Sequence, residues 1–277
     1  MQIARSIPEM KALRSKCVES VGFVPTMGYL HEGHIELVRI AGRDNPVAVV
    51  SIFVNPTQFA PNEDYKAYPR DLDRDLSMLD KAKTGIVFIP DSDEMYAGGY
   101  NTWVDVQGIT GKLEGKSRPT HFRGVTTICN KLFNIVQPDK AYFGQKDAQQ
   151  ALVIQKMVAD LNMNLEVIVC PTIREKDGLA MSSRNTYLTD SERLSAPVLY
   201  RSLCMARDMF AKGERDAGII RKAMADLISQ EPAAKIDYVS IADMQTLDEV
   251  DTIKSKALVS LAVRLGKPRL IDNIVLG

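Results

Sequence analysis

Val21-Gly22-Phe23-Val24-Pro25-Thr26-Met27-Gly28-Tyr29-Leu30-His31-Glu32-Gly33-His34 is the stretch on which the fold turns. Val21 to Pro25 is a short apolar run closed by Thr26, Met27 and Gly28, which predicts a buried strand. From His31 to Arg43, Ile35, Val38 and Ala41 fall at helical spacing. Val47 to Val54 then gives a second strand, with Val and Ile at both parities, as a sheet covered on both faces requires.

The alternation continues outward from this unit. Asp71–Lys83 carries Leu72, Leu76 and Leu79 in line and predicts a helix; Gly85–Pro90 follows as a strand. Gly124–Val136 is an amphipathic helix, Ala141–Phe143 a brief strand, Asp147–Leu161 a helix and Leu165–Val169 a strand. Strands alternating with helices predict a parallel α/β sheet of Rossmann-like type with right-handed crossovers. After about Arg184 the order changes. Helices near Asp190–Ala211 and Glu214–Gln230 precede strands at Ile236–Ile241, Ala257–Leu265 and Arg269–Val275. We therefore expect a domain over 1–184 and a smaller α+β domain over 185–277, the latter acting as a lid on a site between the two. In open α/β sheets such sites lie beyond the carboxyl ends of the strands.

Composition narrows the classes of function. The 277 residues are 45% hydrophobic and 25% charged, and 35 Lys plus Arg balance 35 Asp plus Glu. No broad basic surface for nucleic acid is expected from a neutral chain. Cys17, Cys129, Cys170 and Cys204 are far apart, with no zinc spacing, and read as reduced thiols of a cytoplasmic protein. Arg5, Glu9, Lys11 and Arg14 interrupt the first residues, so no secretory signal is expected. The longest apolar stretch, Val47–Val54, is far short of the roughly 20 residues of a membrane helix.

Two short motifs carry chemistry. His31 and His34, three apart, share a helix face. At a helix start, unpaired N–H groups and the helix dipole favour phosphate, and Gly33 lets a nucleotide approach the backbone. The same four letters also fit two surface histidines in a helix cap. The spacing of three differs from the four of the zincin pattern, and His121 completes no ligand set. Met181-Ser182-Ser183-Arg184 offers two hydroxyls and a guanidinium to a polyphosphate, or, alone, a serine-rich cap.

The pair of motifs resembles the HIGH/KMSKS nucleotidyltransferase superfamily. Further runs come in order: Phe53-Val54-Asn55-Pro56-Thr57-Gln58-Phe59, Tyr68-Pro69-Arg70, Arg118-Pro119-Thr120-His121-Phe122-Arg123-Gly124-Val125, Phe143-Gly144-Gln145-Lys146-Asp147 and Gly178-Leu179-Ala180-Met181-Ser182-Ser183-Arg184-Asn185. With Val24–His34 they resemble the pantothenate synthetase family over nearly the whole chain. The resemblance implies an ATP- and Mg²⁺-dependent ligase, a cytoplasmic homodimer that joins pantoate to β-alanine through a pantoyl adenylate.

Position by position, the resemblance assigns Met27, Gly28, Tyr29, Leu30, His31, Glu32, Gly33 and His34 to ATP, together with Gly144, Gln145, Lys146, Asp147, Ile173, Met181, Ser182, Ser183 and Arg184. His34, His31, Lys146 and Arg184 are the expected catalytic groups, with His34 as proton donor. Gln58, Gln150, Asn55 and Arg118 are expected at pantoate or β-alanine. Neutral amides suit that task, because they hold a carboxylate without the tight ion pair that would quench its nucleophilicity. Two departures stand out. Gln145 occupies a position where Glu is common. Arg74-Asp75 stands where some members have paired acids for the metal, leaving Asp75 as the one expected magnesium ligand. A plain adenylyltransferase of the same superfamily and a non-catalytic nucleotide sensor are the rival readings.

Overall fold

The computed structural model describes residues 1–59 and 65–277. Its strands are β1 (Gln2–Ala4), β2 (Val21–Thr26), β3 (Val47–Ile52), β4 (Ile86–Phe88), β5 (Lys140–Gly144), β6 (Glu166–Cys170), β7 (Ala234–Asp243), β8 (Ala257–Leu265) and β9 (Arg269–Leu276). Its helices are α1 (Ile7–Arg14), α2 (Glu32–Asp44), α3 (Leu72–Lys81), α4 (Ser92–Met95), α5 (Glu114–Ser117), α6 (His121–Val136), α7 (Ala148–Asp160), α8 (Asp190–Ser195), α9 (Val198–Ala211) and α10 (Ala217–Ile228). The chain divides into two compact units: 1–145 with 149–171, and 146–148 with 172–277.

The first unit is the parallel α/β sheet expected from the alternation. Its strand order is β1-β4-β3-β2-β5-β6, and every pairing is parallel. The order reverses about β2: β3 and β4 lie to one side, β5 and β6 to the other. In such sheets the crevice beyond the carboxyl ends at the reversal is the place for a ligand. β2 is apolar because both faces are covered. Phe23 packs with Phe53, Phe133 and Phe143 on one face, and Val24 with Val38, Val50 and Leu79 on the other.

The second unit is the smaller α+β assembly. β7, β8 and β9 form an antiparallel sheet. Leu203 and Ala206 of α9 and Ile220 and Met224 of α10 pack with Val259, Leu261 and Leu276 of the strands.

Neither α4 nor α5 is expected from the sequence, and two further regions differ from that expectation. β1 and α1 occupy the first residues, whose sequence predicts no element. Ser6 and Glu9 form a capping box there, with Pro8 in the first turn. The helix expected over Asp190–Ala211 is broken into α8 and α9 at Pro197, which lacks the N–H a continuous helix needs.

Candidate active site

β2 delivers its chain into a tight turn. Thr26 donates its hydroxyl to Ser51 O at 2.7 Å and accepts from Gly28 N at 3.2 Å. Gly28 and Tyr29 both have positive φ, 79° and 50°. For Gly28 this is free of steric cost; for Tyr29 it costs about 1–3 kcal/mol unless the surroundings enforce it. Asp75 of α3 enforces it. Its carboxylate accepts from Tyr29 N and Leu30 N, both at 2.7 Å, and hydrogen bonds to a charged group contribute about 1.5–3 kcal/mol each. The Arg74 guanidinium lies 5.2 Å from the Tyr29 ring centroid. Burial pushes the Asp75 carboxyl above its ordinary value, and the two backbone hydrogen bonds oppose that shift.

Asp75, the expected magnesium ligand, is engaged here with two backbone amides. Asp75 is 1% exposed, and its two oxygens serve the turn. Among the described residues no cluster of three or more His, Cys, Asp or Glu is placed to hold a metal ion.

His31 is the N-cap of α2, in extended backbone conformation. Its N–H donates to Nδ1 of His34 at 3.3 Å, and the two rings lie 4.0 Å apart, tilted by 31°. Because Nδ1 of His34 accepts, the proton of its neutral ring is assigned to Nε2. His34 thus stands in the first turn of a helix with a donor on its distal nitrogen, where the helix dipole favours an anion.

Beyond β3, Pro56–Gln58 form a short 3-10 turn capped by Asn55. Asn55 is 1% exposed. Its Oδ1 accepts from Thr57 N, from Thr57 Oγ1 and from Tyr96 Oη. Its Nδ2 donates to Gly124 O at 3.1 Å and to Gln58 Oε1 at 3.2 Å. Gln58 therefore has its amide oxygen tied back, and its Nε2 lies 2.9 Å from Met27 Sδ. The backbone carbonyl of Gln58 accepts from Arg118 and, at 2.9 Å, from His121 Nδ1. Gly124 makes this packing possible: a Cβ there would sit 2.4 Å from Thr57 O and 2.7 Å from Gln58 Cα.

The first unit thus brings together Met27–His34, Asn55, Gln58 and Arg118. Gly144 ends β5 and Gln145 follows it at the sheet reversal, and Gln150 lies half-buried on α7. Its neighbour Gln149, which the sequence did not single out, is the buried one. It donates to Ile109 O and Lys112 O and accepts from Glu114 N, fixing the segment before α5.

The second unit holds the remaining residues of the ATP assignment. Lys146 and Asp147 lie there, Nζ to carboxylate 3.8 Å. Ile173 and Met181 flank a hairpin closed by Met181 N donating to Ile173 O and Glu175 N to Leu179 O. Ser182 Oγ accepts from Arg184 N and caps the short 3-10 turn Ser183–Tyr187. The roles of Asp75, Tyr96, Gly124 and Gln149 were hidden from sequence reading. Only the RPTHFRGV run, which quotes Gly124, carried a signal for one of them.

The arrangement in the first unit is a helix start with an imidazole donor, beside a polar turn with a fixed amide donor. Comparison with known proteins gives the same direction. The family model described as pantoate-beta-alanine ligase matches residues 2–275. The pantothenate synthetase of Herpetosiphon aurantiacus is 56% identical over 277 residues, covering 100% of both chains. That of Acetivibrio thermocellus is 56% identical over 278 residues, covering 99% of each. The crystal structure of pantothenate synthetase from Thermus thermophilus superposes with a TM-score of 0.95 at 45% identity, over 99% of each chain. The pantoate-beta-alanine ligase of Francisella tularensis, solved with beta-gamma ATP and beta-alanine, gives a TM-score of 0.81 at 35% identity, over 99% of this chain and 97% of that one. A match of this identity across the whole chain, on the same fold, places the protein in the pantoate–β-alanine ligase family.

Proposed function

We propose that the chain condenses pantoate with β-alanine, using ATP and releasing AMP and pyrophosphate. The observation that carries the residue assignment is the His31–His34 hydrogen bond, which turns Nε2 of His34 into a donor at the head of α2.

In the first half-reaction a pantoate carboxylate oxygen attacks the α-phosphorus of ATP. The bond from that phosphorus to the bridging oxygen breaks, and pyrophosphate leaves with the electron pair. His34 donates a hydrogen bond to the phosphoryl oxygens as charge develops, and His31, Lys146 and Arg184 add positive or donor character. Gln58 offers Nε2 to pantoate, with Asn55 and Arg118 fixing it and Gln150 as a second amide. In the second half-reaction the β-alanine amine attacks the acyl carbon, the bond to AMP breaks, and the amine nitrogen gives up a proton to solvent.

Magnesium belongs to this proposal as the counter-ion of the nucleotide phosphates, which it binds by preference while keeping water ligands. Asp75 is the one protein carboxylate proposed for it, on the family resemblance. The homodimer and the cytoplasmic location are proposed on the family resemblance. Free thiols at all four cysteines suit a reducing compartment, and no helix among the described residues is long and apolar enough to cross a membrane.

The deciding experiment is an assay for AMP with each acid and amine omitted in turn. With ATP and pantoate alone, pyrophosphate and a bound adenylate are expected, and steady AMP release only after β-alanine is added. Full-rate AMP release without amine would refute the ligase reading. Light scattering tests the dimer, and a magnesium titration of the same assay tests the metal.

A further inference from the structure

β9 departs from a simple strand pattern at its centre. Leu270 and Leu276 are buried in the core of the second unit. Between them two consecutive polar residues, Asp272 and Asn273, are also buried, at 2% and 4% exposure. Successive side chains of a strand point to opposite faces, so the two serve different neighbours.

Asp272 grips Arg174 through both oxygens, at 2.6 and 3.0 Å. A paired guanidinium–carboxylate of this kind fixes orientation as well as distance. Arg174 also lies 3.9 Å from the Tyr200 ring centroid and donates to Gly178 O. It is bridged to Ala180 across the hairpin. Asp272 therefore sets the place of the hairpin whose two ends are Ile173 and the Met181–Arg184 loop. Asn273 acts on a different segment: its Nδ2 donates to the backbone carbonyl of Lys146 at 2.9 Å. Neighbouring residues of one strand thus hold both segments of this unit assigned to ATP, 127 positions apart in one case and 98 in the other.

We infer that Asp272 and Asn273 are positioning residues, which hold Lys146 and the Met181–Arg184 loop in fixed register for the phosphates of ATP. The inference rests on the assignment of Lys146 and that loop to ATP. A burial role alone would make Asn273 matter for stability only. A positioning role makes its effect on rate run through Lys146.

The test is a double-mutant cycle on the full-length protein, read by pantoate-dependent ATP–pyrophosphate exchange and by melting temperature. Asn273→Leu keeps the branched shape and removes the donor; Asn273→Ser serves if the leucine variant does not fold. Asn273→Leu should lower exchange by about tenfold, chiefly through KM for ATP, with KM for pantoate unchanged. In a Lys146→Ala background the same change should cost less than twofold, because coupled groups are not additive. Asp272→Asn should also raise KM for ATP, and this loss should persist in the Lys146→Ala background because it acts through the hairpin. An equal loss from Asn273→Leu with and without Lys146, or a loss confined to melting temperature, overturns the inference. If Lys146→Ala itself leaves exchange intact, the assignment of Lys146 to ATP fails first, and the inference with it.

Discussion

Asn55 fixes the orientation of the buried Gln58 amide, turning its nitrogen toward Met27. Its Nδ2 donates to Gln58 Oε1 at 3.2 Å, while Thr57 N donates to Asn55 Oδ1 and Gly124 O accepts from Asn55 Nδ2. A backbone donor and a backbone acceptor leave Asn55 a single satisfied orientation, and Gln58 inherits it.

Asn55→Asp tests this relay. The change is nearly isosteric, but it sets carboxylate oxygens against Gln58 Oε1 and Gly124 O. An unsatisfied buried polar group costs about 1–3 kcal/mol, or roughly 5- to 150-fold in affinity. KM for pantoate should rise within that range while KM for ATP holds. Steady-state kinetics with each substrate varied will show it, and an effect on ATP alone would remove Gln58 from the acid pocket.

Gly124→Ala should disturb the same turn from the other side. The added methyl meets backbone atoms of Thr57 and Gln58, which cannot rotate away as a side chain would. Overpacking of this kind costs about 1–3 kcal/mol. A lower melting temperature together with weaker pantoate binding is expected. A lower melting temperature with unchanged pantoate kinetics would show that the turn adapts without moving Gln58.

Asp75→Asn replaces one accepting oxygen with an amide that faces a backbone N–H. Adenylation should slow, because the Gly28–His31 turn loses one of its two anchors. The pH dependence has a definite sign. Burial raises the folded-state pKa of Asp75 above the ordinary value of 3.8, so the folded chain holds a proton that the unfolded chain has released. Its titration therefore adds stability as pH falls from above the folded pKa towards 3.8, and removes it as pH rises. The melting-temperature gap between the native chain and Asp75→Asn should widen on acidification through that window. A gap that narrows would refute the raised pKa.

His34→Ala separates catalysis from capping. Loss of one preorganised donor typically costs about 10²–10³ in rate. The loss should fall on adenylation more than on ATP affinity, and the second half-reaction, started from supplied pantoyl adenylate, should suffer less. Both half-reactions and a melting curve are needed. Near-native adenylation in the folded variant would strike His34 from the catalytic groups.

The parallel sheet and its order of elements were legible because Val21–Pro25 and Val47–Val54 are apolar at both parities and Ile35, Val38 and Ala41 mark the helix between them. His31 and His34 were legible because they are two of only three histidines. β1 was not, since a three-residue edge strand with Ile3 exposed shows no period. The anchoring role of Asp75 was not legible because its partners are backbone amides, and a carboxylate that binds N–H groups has the same letter as one that binds a cation. Tyr96, Asp272 and Asn273 reach their partners across 41 to 127 positions, a distance at which local pattern says nothing.

The turn at Gly28–Leu30 has a thermodynamic consequence for ligand capture. Tyr29 and Leu30 are already held by one buried carboxylate, and the left-handed Gly28 before them by the Thr26 hydroxyl, before any ligand arrives. Fixing the backbone of a residue costs about 1–2 kcal/mol of conformational entropy, and here that cost falls on folding rather than on association. Nucleotide binding to this segment should therefore show a small entropic penalty and a heat capacity change set by surface burial alone.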